Sequence, residues 1–173
     1  MATVSNAIVQ GGNVPITDLS CQVETATNMY PGRLCKKGTG DRDLVVATAG
    51  SNPAGWLGYE QAAPSERPAN MTTAYAADDV PPVLKGGGFV ILATLSTSQT
   101  IAKDDALVAD AAGMVKKASA LGIVSGSTNV TSAAANGTTV ISGSAGTERI
   151  VGYAEESVTT TSATATIRVR SVI

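Results

Sequence analysis

The chain has 173 residues, 15% of them charged, with a net charge of −2, no histidine and two cysteines. That length suits one domain able to bury a sizeable core. The weak negative charge speaks against a nucleic-acid binder, which would show a basic patch with aromatic stacking residues. Having no histidine excludes Ser-His-Asp and Cys-His nucleophilic centres and histidine metal sites in one step.

Residues 1–19 hold Val4, Ile8, Val9, Val14 and Ile16 without helical or clean strand periodicity, and Gly11, Gly12 and Pro15 interrupt them. They read as an extended N-terminal arm. Such an arm packs along its own barrel or adds itself to a neighbouring chain's sheet edge, and the second is favoured. These five aliphatics are the candidate interface residues.

Strands are expected at Ser20–Glu24, Arg33–Lys37, Asp43–Ala49, Trp56–Gln61, Met71–Ala77 and Val80–Leu84, the last marked as an edge by Pro81-Pro82. Tyr30-Pro31-Gly32-Arg33 predicts a type II turn. Phe89–Leu95 is the most apolar strand. Gln99–Ile101, Ala106–Ala109, Met114–Ala118 and Gly122–Gly126 follow, with Asp110–Gly113 as a turn. No stretch has a capped 3.6-residue apolar period, so helix is limited to one short piece, near 98–105 or 132–136. Residues 127–147 are a polar insertion, with Thr139–Ser142 a candidate strand.

Ile150–Ala154 is a strand with a glycine in its middle. Residues 164–173 alternate in period two, which points Ile167, Val169 and, at the end, Val172 inward and Arg168 and Arg170 outward. Leu57-Gly58-Tyr59-Glu60 echoes Val151-Gly152-Tyr153-Ala154-Glu155, with Leu34 matching Leu107, which suggests two related halves. Small and β-branched residues with regular Gly and Pro punctuation make the fold class all-β: a small barrel or sandwich of short antiparallel strands, with long loops. The expected organisation is the arm over 1–19 and a single barrel domain over 20–173.

The remaining chemistry is sparse. Cys21 and Cys35 are expected as reduced, partly buried thiols, with a bridge across the short loop as the alternative. Asp104, Asp105 and Asp110 lack the oxygen spacing and bidentate glutamate of a calcium loop and read as solvated turn carboxylates. Lys36-Lys37 and Lys116-Lys117 read as solvated strand-end lysines. One Trp, one Phe and four Tyr leave little to build a sugar platform. No apolar run approaches the ~20 residues that span a bilayer, and the N-terminus lacks a signal peptide. The expectation is a cytoplasmic product with no catalytic residue, cofactor, metal, nucleic-acid or membrane partner.

The succession MYPGRLCKKG, DLVVATAG, GWLGYE, GGGFVILATL, TIAKDDALVADAAGMVKKAS and IVGYAEESVTTTSATATIRV resembles the small β-barrel head decoration, or capsid cement, proteins of tailed bacteriophages, over roughly residues 20–173. Asp104-Asp105-Ala106-Leu107 stands for that family's Gly-Asp-x-Leu, and Ala112-Gly113 for its Asp-Gly. The resemblance implies a homotrimer on the outside of an icosahedral capsid, locking neighbouring major capsid protein subunits together on the virion exterior. Alternatives are a tail or fibre module, a biotinyl or lipoyl carrier barrel, from whose Met-flanked hairpin lysine Met114-Val115-Lys116 departs, and a sugar-binding surface on 127–147.

Overall fold

The computed structural model describes residues 8–11, 15–118 and 149–173, and these form an all-β molecule. The candidate strands at 122–126 and 139–142, the possible helix at 132–136 and the polar insertion fall outside the described residues. Five strands close a C-terminal barrel: β8 (Gly87–Leu95), β14 (Ala165–Val172), β12 (Ile150–Ala154), β10 (Ala106–Ala109) and β11 (Val115–Lys117). Long β8 carries the closure, because it runs antiparallel to β14 along most of its length and its last residue, Leu95, meets Val115 in parallel. β1 (Ile8–Gly11) adds to the free edge of β8, opposite Phe89, Val90 and Ile91.

The second sheet runs β2 (Ile16–Asp18), β7 (Val83–Lys85), β6 (Gly55–Leu57), β4 (Leu34–Lys37), β5 (Asp43–Val46) and β3 (Gln22–Val23). Its two end strands are one run of chain interrupted at Leu19, Ser20 and Cys21, so this sheet also closes on itself. It is the same barrel again. Cys35 faces Gly55 as Leu107 faces Gly152, and Trp56 faces Leu84 as Tyr153 faces Arg170. Val23 runs parallel to Leu44 as Leu95 does to Val115, and Asp18 faces Val83 as Ile91 faces Val169. From Asp18 to Val23 there is one residue more than from Ile91 to Leu95. That extra residue splits the counterpart of β8 into β2 and β3.

The halves suggested by the sequence echo are therefore real, but their matching glycines are different. Gly152 corresponds to Gly55, not Gly58. A side chain on Gly55 would meet the Val83 side chain and the Leu84 carbonyl, and one on Gly152 would meet Val169 and the Arg170 carbonyl. An aromatic residue follows each glycine, Trp56 in one barrel and Tyr153 in the other. The described strands thus form two large sheets that share one core.

Strand alternation divides the N-terminal barrel's apolar residues between two cores. Cys35, Leu57, Val83, Val23 and Leu44 fill its own interior, together with Met29 and Tyr75. Leu34, Trp56 and Leu84 point the other way and join the interior of the C-terminal barrel, with Phe89, Ile91, Leu95, Leu107, Ile167 and Val169. Both faces are buried along β6 and at Leu34–Cys35 of β4 and Val83–Leu84 of β7, which explains the apolar pairs there.

Several sequence expectations are corrected. Residues 71–77 form no strand: Asn70 Oδ1 accepts hydrogen bonds from the Thr72 amide at 2.9 Å and its hydroxyl at 2.6 Å, which turns the chain. In β14 the inward residue after Val169 is Ser171, and Val172 is 43% exposed, as strict alternation requires. The 98–105 segment is not helical; it holds β9 (Thr100–Ile101), which pairs with β13 (Val158–Thr159). Residues 8–11 and 16–18 are strands, pairing with β8 and β7 of the same chain.

Candidate functional site

The arm residues separate by position. Val4 and Val14 lie outside the described residues, and Ile8 and Val9 belong to β1 on the C-terminal barrel. Ile16 begins β2 on the N-terminal barrel and is 70% exposed. Leu19, which sequence reading missed, is 51% exposed three residues on. Large aliphatics at such exposure are notable as a pair beside one sheet end, not singly.

The strands around this pair form a rim. Lys85 Nζ and Asp18 Oδ2 make an ion pair at 2.6 Å that ties β2 to β7. The Ser20 amide and hydroxyl also donate to Asp18 Oδ1, at 2.9 and 2.6 Å. The Lys85 hydrogen bond and the two from Ser20 hold the Asp18 carboxyl well below the usual carboxylate range. Beside it Lys37 Nζ lies 2.9 Å from Cys21 Sγ and 3.1 Å from the Asp41 carbonyl. Cys21 and Cys35 are both free thiols, and complete burial pushes the Cys35 thiol up to about 12.

The turn carboxylates serve the fold. Asp105 Oδ2 accepts from the Ala102 amide at 2.7 Å and pairs with Lys117 at 2.6 Å, an arrangement that lowers its pKa. Asp110 accepts from the Ser96 hydroxyl at 2.6 Å. Asp104 lies 3.5 Å from Arg170. Among the described residues no group of three or more His, Cys, Asp and Glu could hold a metal ion. No helix among them is long and apolar enough to cross a membrane. Lys116 lies within β11 opposite Val108, and the hairpin tip is formed instead by Ala111, Ala112 and Gly113.

Between the barrels an open groove of about 370 Å³ is lined by Tyr30, Arg33, Met71, Thr94 and Thr166, among others. The Arg33 guanidinium lies over the Tyr30 ring, 4.5 Å from its centre, and donates to Asn28 Oδ1 and the Ala112 carbonyl, both at 3.1 Å. This arginine staples the two barrels together. On the N-terminal barrel, Ile16 and Leu19 remain exposed.

No curated protein matches the chain. A family model does, over residues 7–144: that of the structural cement proteins, described by E217 gp24 and Pam3 gp6. The match includes β1 and β2 and the segments from MYPGRLCKKG to TIAKDDALVADAAGMVKKAS that carried the resemblance in the sequence, while IVGYAEESVTTTSATATIRV lies beyond it. The chain thus belongs to the phage structural cement proteins, and its role is structural, in stabilising the capsid of the virion.

Proposed function

We propose that the protein cements the outer surface of an icosahedral phage head as a homotrimer bound to the major capsid protein. In this reading it is not an enzyme, and residues 2–16 with their aliphatics Val4, Ile8, Val9, Val14 and Ile16 take part in the contact. The family match over residues 7–144 carries the proposal. The physical logic supports it: a shell-bound protein needs a stiff body and modest contacts that symmetry multiplies. The doubled barrel with a shared core supplies that stiffness.

The test is to add the purified protein to heads assembled without it, then image them and measure their resistance to heat. The expected result is trimeric density on the outer shell, touching several major capsid subunits, with disruption moved to higher temperature. Density on the tail or fibres, or heads indifferent to the protein, would overturn the proposal.

A further inference from the structure

The two barrels are copies, yet the same end of each meets a different environment. In the C-terminal barrel this end carries Phe89, Ile91, Leu92 and Ser171. The N-terminal barrel covers it: the Trp56 indole donates to Ser171 Oγ at 3.1 Å, and Trp56 joins Phe89 and Ile91 in one buried cluster. The turn at Gly32 sits against the Leu92 carbonyl, where any side chain on that glycine would collide. By register, the counterparts in the N-terminal barrel are Ile16, Asp18, Leu19 and Lys85. Here Ile16 and Leu19 are exposed, and no described residue plays the part of Trp56.

A second copy of the chain is a poor occupant. The face equivalent to Leu34, Trp56 and Leu84 is Ala106, Tyr153 and Arg170 in the C-terminal barrel. Arg170 lies 5.9 Å from the Tyr153 ring centre and interacts with Asp104 and Glu155, at 3.5 and 3.4 Å. Stacking that face on the rim would bury three charges already satisfied at the surface, and desolvation opposes it.

We infer that the Ile16–Leu19 rim of the N-terminal barrel is the docking site for a capsid subunit. The partner presents an aromatic or aliphatic side chain, as Trp56 does within the chain, with a carboxylate beside it. The apolar part covers Ile16 and Leu19. The acid answers the local balance of Lys37, Lys85 and Arg42, whose Nε donates to the Ser20 carbonyl, against Asp18 and Asp41. This inference rests on the capsid-binding reading and narrows it to one surface.

The experiment compares wild type with the double variant Ile16→Asp/Leu19→Asp on heads assembled without the protein. Both side chains are exposed, so the thermal midpoint of the free variant stays near that of wild type. The expected result is at least a tenfold loss of retention on heads. In wild type, amide exchange at residues 16–19 also slows when heads are bound. A folded variant retained like wild type would overturn the inference while leaving the cement role intact. If wild type itself does not bind heads, the cement reading fails and the inference with it. Two further outcomes would overturn it: wild-type self-association that the double substitution abolishes, or protection of residues 16–19 already complete in the free protein.

Discussion

The Trp56 indole nitrogen and the Ser171 hydroxyl, 115 positions apart, meet at 3.1 Å inside the shared core. Both residues are almost fully buried. Ser171 Oγ is also 3.0 Å from the carbonyls of Gly86 and Ile173, either of which can accept its proton. The Ser171→Ala variant removes the acceptor and leaves a buried N–H unpaired. The expected loss is about 1–3 kcal/mol, seen as a fall of several degrees in Tm by calorimetry. An unchanged midpoint would mean that the indole finds another partner.

The repeated turns supply a second expectation. The Arg33 amide donates to the Tyr30 carbonyl and the Asp105 amide to that of Ala102, so Pro31-Gly32 and Lys103-Asp104 occupy the same turn positions. Gly32 has φ 78° and Asp104 φ 67°, the left-handed region a type II turn requires. At the β10–β11 hairpin, Ala112 has φ 55° and ψ 29° and Gly113 φ 71°, the geometry of a type I′ turn. Alanine is poorly suited to the first of these positions and asparagine well suited. The Ala112→Asn variant should therefore be more stable by about 1 kcal/mol. Denaturant titration would measure it, with Ala111→Asn as a control expected to change stability by less than ~0.5 kcal/mol.

The Asp18–Lys85 pair makes stability depend on acid. Its carboxyl is held ionised in the fold below its unfolded value of about 3.9. The pair's contribution is therefore complete above that value and fades as the pH falls below it. In Asp18→Asn, unfolding midpoints should be lower than wild type at pH 7, and the gap should close as pH drops below about 4. A gap that stayed constant over this range would show that the ion pair is not its source.

Local chemistry made much of this fold legible. Pro31-Gly32 announced its turn, and the alternation of β14 announced a strand with one buried face, because both depend on neighbours in sequence. The missing histidine likewise narrowed the chemistry before any coordinates. The strand 71–77 misled because β propensity there loses to Asn70, whose side chain satisfies the following amide. β1 and β2 were overlooked because their short runs are held by edges of distant strands.

Composition, spacing and the order of turns by themselves pointed to an all-β chain with two related halves, and the resemblance of its motifs pointed to the cement type. Only the tertiary structure decided that each half closes into a barrel, that Gly55 and not Gly58 matches Gly152, and that Leu34, Trp56 and Leu84 belong to the other barrel's core. The physical reason is that alternation says which residues share a face, whereas which face meets another sheet depends on pairing across long stretches of chain. The uncovered Ile16 and Leu19 became visible only then, because exposure is decided by what packs on a residue and not by the residue itself.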